Sequence, residues 1–120
     1  MKQKVAKRLH DALAATSEIS QFIEGETEQS YLSDRKLQLA LLFLLTIVGE
    51  SLSQARRDDP SLNELIPKLH SIVGMRNRIV HVYDDVDYRL LWLAVSISVP
   101  ELAPQLEHAL ATQAIEADDR

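Results

Sequence analysis

Apolar residues recur along this chain at three- and four-residue spacing, and no stretch alternates apolar with polar positions as a half-buried strand does. Val5, Leu9, Ala12, Thr16, Ile19 and Ile23 form one such stripe, which predicts a first helix closed by Gly25 as its C-terminal cap. A polar run, EGETEQS, separates it from a second helix that Ser33 can cap and that extends to about Arg57. Its centre, LQLALLFLLTIVGE, is apolar nearly all round. A helix of that kind has to be buried on two sides, and an interface with a second copy supplies the outer one.

DDPSLNE then reads as a turn followed by a helix start, with Ser61 and Glu64 at capping-box spacing. The third helix is interrupted near Pro67 and is expected to reach about Val82, where DDVD closes it. A fourth runs from about Tyr88 to Ser98. Pro100 starts or kinks a last one carrying Leu102, Leu106 and Leu110, and the polar tail from about residue 116 is expected to fray. With no internal repeat and no linker, residues 1–120 make one domain, and the expected fold class is all-α: an antiparallel bundle of four to five helices.

Composition narrows the functions. A net charge of −5 argues against a broad basic face for nucleic acid, so any RNA contact must be local. Cys 0 removes disulfides, thiolate nucleophiles and zinc–thiolate clusters, which fits a reducing cytoplasm. The start, MKQKVAKRLHDALAA, is amphipathic, unlike the continuous apolar core of an export signal. The most apolar run, Leu37 to Val48, is too short for a membrane span of roughly 20 residues. A cytoplasmic protein without membrane attachment is expected.

The chemistry concentrates in GMRNRIVHVYDD, Gly74 to Asp85. On a helical wheel Arg76 falls in the middle of an apolar stripe with Leu69, Ile72, Ile79, Val80 and Tyr83, so its guanidinium needs a partner. His70, Gly74, Asn77 and His81 share a second face, where glycine would let another helix or a substrate approach the backbone. A lone His beside an Arg on a bundle helix is by itself more often a packing or capping group. His10 and His108 read as solvated and Trp92 as core. Arg56 and Arg57 suit a helix C-terminus through its dipole, or phosphate anchoring. No His and carboxylate pair is read at i, i+4 on one exposed helix face near the motif, so neither metal nor cofactor is expected.

RNRIVHVY, preceded by GM, resembles the Arg, four residues, His, one residue, Tyr pattern of HepT-like HEPN proteins. FIEGETEQSYLSDRKLQLA, IVGESL and DYRLLWLAVSISVPELAPQLEHAL resemble the family's first inter-helix region, its "IGEAL" segment and its closing Trp-containing helices. The likeness spans nearly the whole chain. It departs after Pro67, where Lys68 replaces a tryptophan common among relatives, and that bears on substrate preference more than on fold.

The resemblance implies a homodimeric HEPN bundle, the toxin of a toxin–antitoxin pair, that cuts RNA internally without a metal. It assigns catalysis to Arg76 and His81, with Asn77 orienting His81 or the phosphate and Arg78 as a substrate contact. His81 can exchange protons near neutral pH and Arg76 can fork onto phosphate oxygens. One His cannot easily serve as both acid and base, which again favours a two-fold dimer. The implied partner is a minimal nucleotidyltransferase antitoxin that transfers AMP to Tyr83. The competing readings are an idle HEPN subunit that binds a nucleotidyltransferase or nucleotides, and a structural adaptor in which Arg76 is consumed by an internal carboxylate.

Overall fold

The computed structural model describes residues 1–80 and 85–118, the last six of these along the backbone only. It is all-α, with no strand among the described residues. The first stripe forms α1 (Gln3–Ile23), burying Val5, Leu9, Ala12, Ala15, Thr16 and Ile19. The chain then turns at Gly25, whose φ of 76° lies in the left-handed region that glycine adopts without steric cost.

The polar run expected to be a loop contains a short helix, α2 (Glu28–Leu32). Thr27 caps it: its side chain accepts from the Ser30 amide, and the Ser30 hydroxyl accepts from the Thr27 amide. The box uses Ser where Glu or Gln is usual, which hid it in the sequence. The next helix, α3 (Arg35–Asp58), is capped by Asp34 instead of Ser33, through a 3.1 Å bond from the Leu37 amide.

α3 is the spine of the bundle. At 24 residues it is long and apolar enough to cross a membrane, but Leu41, Leu44, Leu45, Val48, Leu52 and Ala55 are buried in the core between α1 and α5. Each such leucine contributes about 1.5–3 kcal/mol when removed from water. α1 runs antiparallel to α3, as the Lys4–Asp58 ion pair joins the start of one to the end of the other.

After Pro60 comes α4 (Leu62–Leu65). The expected Ser61–Glu64 box does not form, because Ser61 donates both its amide and its hydroxyl to the Asp59 carboxylate. Residues 66–68 break the helix around Pro67, and α5 (Leu69–Ile79) follows, burying Leu69, Ile72, Val73 and Ile79. α5 ends at Ile79 with Val80 as C-cap, short of the expected Val82.

Asp87 caps α6 (Tyr88–Leu93) by accepting from the Leu90 amide. The expected boundary between the last two helices is absent: α6 passes through a π-turn (Ala94–Ser98) into α7 (Val99–Asp118). The Val99 amide reaches back five residues to the Ala94 carbonyl, and this wider turn carries the helix across Pro100, which has no amide proton to donate. α7 continues to Asp118, into the polar tail.

Tyr31, fully buried, ties α2 to α6. Its ring stacks on Trp92 with centroids 5.0 Å apart, and its hydroxyl donates to the Tyr88 carbonyl at 2.7 Å. Burial pushes its phenol well above the usual tyrosine range, with the Tyr88 and Asp87 charges adding to the effect.

Candidate active site

α5 carries most of the described candidate residues, and its placement fixes theirs. At its N-terminal end the Lys68 amide donates to Gln105 Oε1 at 2.7 Å and the Lys68 ammonium pairs with Glu101, also at 2.7 Å. Further on, the Ser98 hydroxyl meets the Met75 sulfur at 3.2 Å, so α5 lies antiparallel to the π-turn and α7. Its other side packs on α3.

Arg76 occupies the middle of the buried stripe, as the wheel indicated, and the fold accommodates it through a notch in α3. A Cβ added at buried Gly49 would lie 2.8 Å from Arg76 Cγ, 3.1 Å from Cδ and 3.2 Å from Cβ. The aliphatic stem of the arginine therefore lies directly on the α3 backbone. Glycine inside a helix costs about 1 kcal/mol relative to alanine, and this contact is what the glycine permits. Of the two approaches expected at Gly74, that of another helix is not found among the described residues: a Cβ there would meet nothing within 4 Å.

The head of Arg76 has little company. Nη1 donates to Asn77 Oδ1 at 3.1 Å, while Nε is buried without a hydrogen-bond partner. Among the described residues no carboxylate pairs with it. Leaving a buried donor unmet costs about 1–3 kcal/mol, and more for a charged group, so this side chain is poorly arranged for a purely structural role. Asn77 engages Arg76 here, on a stretch of α5 that is otherwise open. Arg78 is exposed in the last turn of the helix.

His81 and Tyr83 lie outside the described residues. The chain returns beside the end of α5, where the Asp87 amide donates to the Ile79 carbonyl at 3.1 Å. On the other described members of this face, His70 is exposed and its Nδ1 lies 3.2 Å from Arg56 Nη1. His10 and His108 are exposed, as expected. Among the described residues no group of three or more His, Cys, Asp or Glu is placed to hold a metal ion. An apolar cleft between α1 and the π-turn and α7, lined by Thr16, Ile19, Val95, Val99 and Pro104, has no wall on α3 or α5 and does not adjoin the arginine.

Residues 12–109 match the model of the HepT-like ribonuclease family. The chain belongs to that family. It is 31% identical to the "Probable ribonuclease HepT" of Thermococcus cleftensis over 89% of this chain and 96% of that protein. It is 27% identical to a protein of Methanocaldococcus jannaschii named as a candidate RNase, over 88% of this chain and 96% of the relative. No solved structure matches it significantly. The span that matches the HepT-like family contains Gly49, Arg76, Asn77 and Arg78, and also His81 and Tyr83. Sequence reasoning missed the part played by Gly49, although a glycine in the middle of a long apolar helix was its signal.

Proposed function

We propose that this HepT-like chain is the toxin of a toxin–antitoxin pair and acts in the cytoplasm as a metal-independent endoribonuclease. The observation that carries this reading is the Arg76 guanidinium, anchored by its stem on Gly49 and left with an unmet Nε–H and, among the described residues, no carboxylate partner. A phosphate would supply the missing acceptor by a charge-assisted bond.

In the reaction the ribose 2′-oxygen forms a bond to the adjacent phosphorus as the bond from phosphorus to the 5′-oxygen breaks. The 2′-hydroxyl proton passes to a base and the leaving 5′-oxygen receives a proton, giving a 2′,3′-cyclic phosphate and a 5′-hydroxyl. His81 exchanges these protons. Arg76 balances the charge that builds on the phosphate oxygens, Asn77 orients the guanidinium, and Arg78 contacts the strand. Two copies of the motif in a homodimer supply the acid and the base. Exposed Leu39 and Phe43, one turn apart on α3, support such an interface.

Neutralisation follows from the same chemistry. A minimal nucleotidyltransferase antitoxin transfers AMP to the Tyr83 hydroxyl, and the added phosphate competes with RNA for Arg76. The acidic net charge favours a second reading, an idle subunit that binds a nucleotidyltransferase or nucleotides. Incubating purified protein with mixed cellular RNA in EDTA separates the two. New RNA ends from the parent, and none from His81→Ala or Arg76→Ala, are expected; intact RNA in every lane would leave the binding subunit.

A further inference from the structure

The basic side chains along α5 extend further than one phosphate can span. Between Glu64 and Asp84 the sequence holds no carboxylate side chain, in a chain with 18 of them. Within this interval Lys68 is already paired with Glu101, and the other basic groups are His70, Arg76, Arg78 and His81, of which the first three lie on α5. α3 runs antiparallel alongside, and two cross-helix contacts set the register: Gly49 against Arg76, and Arg56 against His70. The Arg56–His70 pair thus lies about one turn and a half to two turns from Arg76, roughly 9–10 Å along the helix axes.

The chemistry of that pair is specific. A guanidinium can only donate, so His70 Nδ1 accepts from Arg56 and the ring proton rests on Nε2. Arg56 forms no ion pair among the described residues and keeps further N–H groups for another acceptor. Two donors from neighbouring helices, one carried on the first turn of α5 where the dipole favours anions, suit a phosphate. Between this pair and Asn77 the same face of α5 carries Gly74, with nothing within 4 Å of the place its Cβ would occupy. Gly74 thus leaves an opening on this face between the two basic sites.

We propose that Arg56 and His70 form a second phosphate subsite, holding a flanking phosphate of the single-stranded RNA whose scissile phosphate sits at Arg76. The proposal rests on the nuclease reading for the position of the scissile phosphate. The separation is within reach of one to two nucleotide steps of an extended strand, so the strand runs along α5 from Asn77 past Gly74 to His70. It reconciles an acidic protein with an RNA substrate, because a few aligned contacts replace a basic face.

The test uses Arg56→Gln and His70→Gln, both surface-facing changes, with unaltered thermal melting as the check on folding. A 2′-O-methyl oligoribonucleotide of about twelve nucleotides, which cannot be cut by 2′-hydroxyl attack, is titrated by fluorescence anisotropy at several salt concentrations. The expected result is about tenfold weaker binding for Arg56→Gln and a salt slope smaller by about 0.7, one phosphate contact on a single strand. Cleavage of a long substrate should show a raised KM with kcat unchanged, while cleavage of a dinucleotide, whose only phosphate is at Arg76, should match the parent. Equal binding by parent and variants overturns the subsite, as does equal damage to long and dinucleotide substrates, which would mean the pair acts through Arg76. Arg56-dependent binding by a parent that cleaves nothing would sink the nuclease reading and keep the RNA contact.

Discussion

Gly49 and Gly74 sit on packed neighbouring helices, and one added methyl group meets opposite surroundings at each. At Gly74 it enters open space, so Gly74→Ala should gain the helix preference of alanine, about 0.5–1 kcal/mol, seen as a rise in melting temperature. At Gly49 it would lie 2.8 Å from the Cγ of Arg76, near the root of that side chain, where a rotamer change at the tip gives no relief. Overpacking of this kind costs about 1–3 kcal/mol, more than the helix preference returns. Gly49→Ala should therefore melt earlier and lose about tenfold or more in RNA cleavage. Combining it with Arg76→Ala should recover most of the melting temperature while leaving the enzyme inactive, because Cγ and Cδ are gone and only the 3.2 Å contact to the Cβ of residue 76 remains. Equal losses for the single and double variants would show that the methyl group collides with something other than the arginine.

At the scale of the elements, the long amphipathic stripes were legible. Val5 to Ile19 placed α1 and Gly25 its end, because a 3.6-residue period over many positions has no competing reading. The helix start at α4 and its interruption near Pro67 were legible too; α2 was not, being too brief to show a period, and the π-turn appears only when α6 and α7 are seen to continue through Pro100. Arg76 at the centre of a buried stripe was visible, but its seat on Gly49 was not, since a wheel of one helix cannot say which residue of another faces it. The Arg56–His70 contact escaped for the same reason. Tyr31 shows what such inter-element contacts contribute. Its phenol titrates well above the usual range when folded, so the folded state holds this proton more tightly than the unfolded chain. The associated stability is full below about pH 10 and is lost as pH rises toward the folded value, at about 1.4 kcal/mol per pH unit. Tyr31→Phe should lose about 1 kcal/mol at neutral pH, through loss of the hydroxyl's bond to the Tyr88 carbonyl, and should show a shallower decline in alkali. Urea unfolding of both proteins from pH 8 to 11 measures this, and parallel curves would mean that Tyr31 does not titrate differently on folding.

For the whole molecule, the distribution of apolar surface bears on how many chains act together. α3 buries one side in the core, yet Leu39 and Phe43 on its other side remain 47% and 66% exposed. Leu93 and Ile97, one turn apart on the α6 and π-turn segment, are 47% and 53% exposed. Single exposed apolar residues are ordinary, but two i, i+4 pairs on a chain of 120 residues are suited to an isologous contact. The proposed chemistry needs two proton-transferring groups at one phosphate, and each chain offers one motif histidine, so dimer formation and cleavage should fail together. Phe43→Glu places a charge on the proposed interface at a position the monomer core does not use, and should alter monomer stability by no more than about 0.5 kcal/mol. Light scattering after gel filtration should show the parent as a dimer and the variant as a monomer at micromolar concentration. RNA cleavage by the variant should fall with dimer content and recover as protein concentration is raised. A monomeric Phe43→Glu that cleaves as fast as the parent would mean that one chain carries both proton transfers, and a second general acid or base would then have to be sought within the same chain.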